Sequence, residues 1–219
     1  MAGTVTIAAT YGAGGSVIGP AVAKRLGLPF IERAIPVAVA EKIHAPLEAA
    51  LADDAKHRSR AGGLLDTLLI GTGLFVGVPP TPDELGVAPD IEKTEAILRR
   101  LADTTGGVIL GRAGVFVLQG RLDVLHVRLD GDVEARCRAA AKRLDIDVGS
   151  AARQQRQADR ARAAYVAHYY PRAGAWNDPR HYHVVLDSTS ISHDACVDII
   201  VAAAQDLFQN RSAAPGSRQ

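Results

Sequence analysis

Residues 4–16 read Thr4-Val5-Thr6-Ile7-Ala8-Ala9-Thr10-Tyr11-Gly12-Ala13-Gly14-Gly15-Ser16. The short run of β-branched and small apolar residues predicts a buried first strand. After the glycine turn, apolar residues recur over 16–26 at the spacing of a helix, and Gly27 follows as a stop signal. A strand, a glycine turn and a helix in this order predict the first unit of an α/β protein.

Later apolar runs repeat the strand-then-helix pattern. Strands are predicted over 107–110, 124–129 and 184–186, with helical segments after them over 113–118, 133–144 and 194–208. A further short strand is predicted near 29–31. The sequence therefore predicts a parallel sheet of about five strands flanked by helices.

Two segments interrupt this alternation. Residues 33–105 are almost wholly helical in pattern, apart from a turn-rich stretch over 77–82, and residues 147–168 form a second, polar helical stretch. We expect a single domain over 1–210 that carries these two inserts. The tail over 211–219 has no apolar pattern, and we expect it to be disordered.

Composition and charge exclude several classes of protein. The 219 residues carry a net charge of +1, so no overall field recruits nucleic acid or an anionic membrane. Two cysteines without CxxC spacing exclude a disulfide scaffold and a zinc finger. The longest uncharged stretch, 67–82, is shorter than the ~20 apolar residues that span a bilayer. Because no secretory signal is visible, we expect a soluble, cytoplasmic protein.

The glycine turn is a candidate phosphate-binding loop. Glycines allow a backbone to point successive N–H groups at an anion, and the following helix adds the positive end of its dipole. Against the pattern GxxxxGK[ST], Ala9 stands at the first glycine and Gly15 at the lysine, while Ser16 keeps the position that ligates Mg²⁺. The candidate phosphate-binding residues are Gly12, Ala13, Gly14, Gly15 and Ser16. The alternative is a plain strand–helix turn that needs glycine.

Arginines are concentrated in one part of the chain, with seven between positions 136 and 162. Arg153, Arg156 and Arg160 share one stripe of the predicted helix, and Asp159 and Arg162, three apart, are spaced to pair on the adjoining face. Guanidinium groups suit the oxygens of a transferred phosphoryl group. The cluster is therefore either a catalytic one or a solvated helix face.

Two further candidates lie where predicted strands end. Arg112 follows the strand over 107–110, at the sheet edge where ligands bind in open α/β proteins. Its role is either an anion contact or local pairing at a helix start. Glu32 follows the second strand, where a carboxylate either helps to hold Mg²⁺ or an acceptor hydroxyl, or is an ordinary residue of a helix N-terminus.

Histidines and aromatic residues near the last strand have plainer interpretations. His181 and His183 alternate on an extended segment, but no third metal ligand is evident, so we expect a surface or substrate-facing pair. Tyr165, Tyr169, Tyr170 and Trp176 follow the arginine-rich helix. They either stack a base or pack the insert, and we favour packing.

Taken together, these segments resemble the cytidylate kinase-like family of P-loop proteins from residue 5 to about residue 208. The resemblance rests on segments in the family's order: 11–15 with Ile18, 26–30, 109–112, 159–165, 176–179 and 182–189. It implies a P-loop nucleoside monophosphate kinase fold, with an acceptor-binding insert over about 33–105 and a lid over about 131–170. It also implies ATP with Mg²⁺ on the glycine loop and an Asp-x-x-Arg pair in the lid, here Asp159 and Arg162.

The chain departs from the cytidylate kinase pattern at three places. The run Glu32-Arg33-Ala34-Ile35-Pro36 follows the second strand where the family has Asp-(Ser/Thr)-Gly. Gly15 replaces the P-loop lysine, and Ala38 stands where the family has a phosphate-binding arginine. On the resemblance, Arg33 is the candidate replacement for that arginine, and Arg153, Arg156, Arg162 and Arg112 are candidates to supply the charge of the lysine.

Two hypotheses about function follow. The first is a kinase that transfers the γ-phosphoryl group of ATP to a nucleotide or related small-molecule acceptor. The second is a non-catalytic nucleotide-binding or regulatory protein that has lost the lysine and the chemistry. Neither requires nucleic acid or membrane, and a homodimer is left open.

Overall fold

The structure, a computed structural model, describes residues 3–32, 91–111 and 113–213. Most of the insert predicted over 33–105, with Arg33, lies outside the described residues, as do Arg112 and residues 214–219. The strands are β1 (Thr4–Ala9), β2 (Phe30–Glu32), β3 (Gly107–Leu110), β4 (Val124–Asp130) and β5 (Val184–Asp187). The helices are α1 (Gly15–Leu26), α2 (Ile91–Asp103), α3 (Gly114–Val117), α4 (Val133–Leu144), α5 (Val148–Tyr169) and α6 (His193–Ala213), with a short 3₁₀ turn at Pro179–His181.

All five strands run parallel in the order β2-β3-β1-β4-β5. The predicted parallel sheet is therefore confirmed, and β1 lies at its centre. Val5 of β1 lies between Val108 of β3 and Leu125 of β4. All three side chains are buried, which explains why these strands read as nearly continuous apolar runs.

The sheet is covered on both faces. On one face, alternate strand residues such as Val5, Val108 and Val127 pack with Ile18 of α1 and Ile200 of α6. On the other face, Ile109 and Val124 pack with residues of α2 and the α3 region, including Leu98, Leu101 and Leu118. Because all five strands are parallel, their carboxyl ends lie at one edge of this covered sheet.

Local signals explain where several helices begin and end. Gly27 caps α1 in the left-handed conformation at φ 66°. The side chains of Asp132 and Asp147 accept hydrogen bonds from backbone N–H groups in the first turns of α4 and α5. α6 continues through Ala213, so the tail predicted to begin at 211 overlaps the helix by three residues. Among the described helices, none is long and apolar enough to cross a membrane.

Candidate active site

The glycine loop connects β1 to α1 at the carboxyl edge of the central strand. Gly12 and Gly14 have φ angles of 85° and 73°, which favour glycine, and Gly14 is the N-cap residue of α1. The Ala13 N–H donates to the Thr10 carbonyl (3.1 Å) and so closes the turn. Within the described part of the chain, the N–H groups of Gly14, Gly15 and Ser16 donate no hydrogen bond. Three such amides at a helix N-terminus are an arrangement that can bind an anion.

Neighbouring elements enclose the loop so closely that side chains would not fit. A Cβ on Gly12 would lie 2.2 Å from the carbonyl oxygen of Arg136, and a Cβ on Gly14 would lie 2.6 Å from Nε2 of His193. Sequence analysis gave no role to His193, the first residue of α6. It comes beside the loop because α1 and α6 pack on the same face of the sheet.

Position 15, the lysine position of the P-loop pattern, has no space for a side chain. A Cβ on Gly15 would lie 2.7 Å from Cβ of Ala9 and 3.0 Å from Cδ1 of Leu110. Ala9 itself replaces the first glycine of the pattern. The two departures are therefore physically coupled, since the methyl group at position 9 fills the space that the stem of a lysine at position 15 needs.

Ser16 begins the exposed side of α1 and could offer its hydroxyl to a cation. No group of three or more His, Cys, Asp or Glu side chains gathers anywhere in the described ranges. A hard cation such as Mg²⁺ prefers oxygen ligands and is commonly held by one or two protein groups together with substrate phosphates. The hydroxyl of Ser16 would be one such oxygen ligand.

Asp130, at the end of β4, links that strand to the glycine loop. Its carboxylate accepts hydrogen bonds from Thr10 Oγ1 (3.0 Å) and from Arg128 Nη2 (2.6 Å). Burial alone would raise the pKa of Asp130, but these hydrogen bonds and the charge of Arg128 lower it below its ordinary value. Asp130 is therefore held as an anion beside the loop.

Arg128 is a buried cation that the sequence analysis overlooked. Its guanidinium lies over the ring of Trp176, 4.5 Å from the centroid, and 5.8 Å from the ring of Tyr182. Trp176 therefore packs against β4, which agrees with the packing role favoured for the aromatic group. The only local signal was a charged residue within an otherwise apolar strand.

Asp159 and Arg162 of α5 form the pair that their spacing predicts. Arg162 Nη1 donates to Oδ1 of Asp159 (3.0 Å), and both side chains are partly buried on α5. The other oxygen of Asp159 accepts from Gln155 Nε2 (2.7 Å) and from Arg136 Nη1 (3.4 Å). The structure thus brings in Arg136, to which the sequence analysis gave no role.

The predicted arginine stripe lies on the outer side of the same helix. Arg153, Arg156 and Arg160 are all exposed, and Arg153 donates to the hydroxyl of Ser150 (2.7 Å). Within the described part of the chain, no hydrogen bond joins any of the three to the glycine loop. The geometry therefore separates Arg162, which is tied into a buried network, from the three stripe residues.

The remaining candidates that the structure describes are Glu32 and the two histidines. Glu32 is the last residue of β2, opposite Leu110 of β3, at the edge where the glycine loop begins. His183 stacks on His126 with ring centroids 5.2 Å apart, whereas His181 meets Phe116 edge-on at 5.1 Å. The two histidines are thus engaged in separate packing contacts.

The turn after β5 also contacts the glycine loop, in addition to the contact from the end of β4. Asp187 accepts hydrogen bonds from Thr189 and Ser190, which lower its pKa to about 2. The Ser188 hydroxyl donates to the carbonyl oxygen of Ala13 (2.8 Å). The glycine loop is therefore fixed by the carboxyl ends of β4 and β5 as well as by its own turn.

Comparisons with known proteins agree with this architecture. A model of the cytidylate kinase-like family matches residues 4–190. Among solved structures, an uncharacterised protein from Eubacterium ventriosum is 15% identical with a TM-score of 0.63, covering 92% of this chain and 98% of that chain. A search of curated proteins found no match.

Two further solved structures carry kinase names. A sugar kinase from a Janibacter species is 17% identical with a TM-score of 0.54, covering 94% of this chain and 96% of that chain. A gluconokinase from Sinorhizobium meliloti is 19% identical with a TM-score of 0.53, covering 96% and 95%. At these identities the three likenesses show the fold, which is that of P-loop kinases.

Proposed function

The chain belongs to the cytidylate kinase-like family, and from that premise we propose that it is an ATP-dependent phosphotransferase acting on a small molecule. The observation that carries the proposal is the glycine loop. It presents the N–H groups of Gly14, Gly15 and Ser16 at the N-terminus of α1, at the carboxyl end of the central strand. Sites of this kind bind phosphate without any side chain.

Phosphates of ATP can approach the backbone of this loop closely, because Gly14 and Gly15 have no side chains. Their N–H groups and that of Ser16 lie at the N-terminus of a twelve-residue helix. The hydroxyl of Ser16 would help to hold Mg²⁺, which would neutralise negative charge on the phosphates. The backbone amides, which are neutral dipoles, would hold the phosphate chain in place.

The charge that a P-loop lysine supplies must come from another element. A lysine follows the β- and γ-phosphates as a point charge during transfer. Arg162 is the best candidate to replace it, because it lies on the lid helix and is oriented by Asp159. Arg153, Arg156 and Arg112 remain candidates for additional contacts, and Glu32 and Arg33 for contacts to the acceptor.

The acceptor is a nucleotide or another small molecule with a hydroxyl or phosphate group. The two named kinases among the similar folds act, by their names, on gluconate and on a sugar. The proposal therefore includes both nucleotides and sugar-like molecules as acceptors. We place the activity in the cytoplasm, where ATP is available. Nucleic acid and membranes have no part in the proposal.

A second candidate function has one observation in its favour. The methyl group of Ala9 fills the lysine position, so the chain is adapted to lack that cation rather than merely missing it. A protein that binds nucleotide without transferring phosphate would have the same geometry. The two candidates share the loop and differ only in turnover.

One experiment separates them. The purified protein is incubated with Mg²⁺ and ATP against a panel of nucleoside monophosphates, sugars and sugar acids, and ADP formation is followed. Acceptor-dependent ADP formation supports the phosphotransferase. Binding of ATP by calorimetry without turnover on any acceptor supports the non-catalytic alternative, and absence of both contradicts the proposed function.

A further inference from the structure

We propose that Arg136 is a positioning residue that sets the lid cation Arg162 in a fixed place relative to the glycine loop. The inference rests on the proposed function, because Arg162 matters only if charge develops on a phosphoryl group above the loop. It assigns a role to a residue of α4 that no sequence motif pointed to.

Arg136 is bound first to the loop side of the site. Its Nη1 donates to the carbonyl oxygen of Tyr11 (3.0 Å), and its Nε donates to the carbonyl oxygen of Gly131 (3.0 Å). The side chain is only 5% exposed. Gly12 packs directly on the Arg136 backbone, so both the main chain and the side chain of Arg136 contact the loop.

The same guanidinium reaches the lid. Arg136 Nη1 lies 3.4 Å from Oδ2 of Asp159, whose Oδ1 accepts from Arg162 Nη1 at 3.0 Å. A continuous path of hydrogen bonds thus runs from the Tyr11 carbonyl through Arg136 and Asp159 to Arg162. Gln155 donates to Oδ2 of Asp159 and restricts the carboxylate further.

Because the chain lacks the P-loop lysine, the cation that replaces it must be positioned by other contacts, and this path of hydrogen bonds provides them. A lysine at position 15 would be covalently part of the loop and therefore correctly placed against bound phosphates. A cation on a separate helix has no such constraint, and a small misplacement of a catalytic group is costly in rate. Arg136 supplies the constraint without a covalent link, because its Nη1 binds both Tyr11 and Asp159 while its Nε, in the same plane, binds Gly131.

Lysine at position 136 keeps the charge but loses the fork, so Arg136→Lys is the informative variant. We expect kcat to fall by ~10²-fold, the scale of a misplaced catalytic group, with little change in the dissociation constant of ATP. In an Arg162→Ala background, Arg136→Lys should cause no further loss of kcat. Arg138→Lys, on the exposed side of the same helix, serves as the matched control.

A second measurement needs no turnover. In the free protein, the Nε–H group of Arg162 should show restricted motion by ¹⁵N relaxation, and this restriction should be lost in Arg136→Lys but kept in Arg138→Lys. Thermal unfolding of each variant reports whether the fold is intact. If Arg136→Lys does not fold, the Asp159→Asn variant interrupts the same path and is measured in its place.

Two results would overturn the inference. One is an Arg162 side chain whose motion is the same in the parent and the Arg136→Lys protein. The other is a loss of kcat from Arg136→Lys that is equally large with and without Arg162, which would mean that Arg136 acts on the fold alone. Failure of the proposed function looks different, since the parent would then make no ADP while the relaxation result still decides the role of Arg136.

Discussion

The residues at positions 9 and 15 are sterically coupled, because the methyl group of Ala9 occupies the space that a side chain at position 15 would need. We expect Gly15→Lys alone to lower the free energy of unfolding by about 1–3 kcal/mol, the usual cost of overpacking. Ala9→Gly should recover part of that loss, because it removes the methyl group 2.7 Å from the new Cβ, and Leu110 can rotate away. Urea denaturation of both single variants and the double variant measures the coupling. Purely additive losses would contradict it.

A second prediction at the residue scale concerns Arg162 of α5. Arg162→Ala should lower kcat by ~10³-fold, as for other arginines that contact transition-state charge, while ATP binding weakens much less. Arg138→Ala is the control, since Arg138 is 62% exposed and pairs only loosely with Glu134, at 3.6 Å. Steady-state kinetics and calorimetry give the two quantities. Small and equal effects of both substitutions would mean that the arginine cluster is only a solvated helix face.

At the scale of elements, the proposed anion site depends on the glycine loop and α1 together. Gly14→Val should abolish ATP binding, because the new side chain meets His193 and distorts the turn whose amides hold phosphate. Gly120→Val provides the control for backbone strain, since Gly120 has a similar φ of 77° but open space around it and lies at the other edge of the sheet. Calorimetric titration with ATP compares them. If Gly14→Val still bound ATP, the glycine loop would not be the phosphate-binding site.

Elements were predictable from sequence to the extent that their signals are local. The buried run of β1, the glycines after it and the aspartate N-caps of α4 and α5 each act within a few residues, and the corresponding elements lie where the sequence places them. The Asp159–Arg162 pair is also local, three residues apart on one helix.

Contacts between distant elements were not predictable in this way. Arg136 binds a carbonyl 125 positions earlier, and Ser188 binds one 175 positions earlier. Such contacts depend on which strand ends become neighbours, and a single sequence carries no periodic signal for that. The sequence therefore indicated the glycine turn and the Asp159–Arg162 pair but not Arg136 and Ser188, which connect distant elements.

At the scale of the whole molecule, strand order explains why the site forms where it does. β1 lies between β3 and β4, and β5 lies beside β4, so the segments after β1, β4 and β5 meet at one edge. Thr10 binds Asp130, and Ser188 binds both Ala13 and Asp130 through carbonyl oxygens. The geometry of the loop therefore depends on the same strand arrangement that stabilises the sheet.

The last prediction uses a buried histidine on the sheet to test that stability. His126 of β4 is 5% exposed, its Nδ1 lies 2.7 Å from Thr6 Oγ1, and its ring stacks on His183. Burial, together with the charge of His183, lowers the pKa of His126 to about 4 from its ordinary value of 6.5. Between those values the unfolded chain binds a proton at this position and the folded protein does not. Stability must therefore fall as the pH decreases from 6.5 to 4.

The full loss attributable to His126 amounts to about 3 kcal/mol. His126→Asn keeps a polar partner for Thr6 but cannot titrate, so its free energy of unfolding should depend less on pH across this window than that of the parent. His168→Asn is the control, because His168 is exposed on α5. Urea denaturation at pH 7, 5.5 and 4 measures the slopes, and the difference between slopes removes the contribution of the carboxylates. Equal slopes in the parent and His126→Asn would mean that His126 takes up its proton equally well in the folded and unfolded chain.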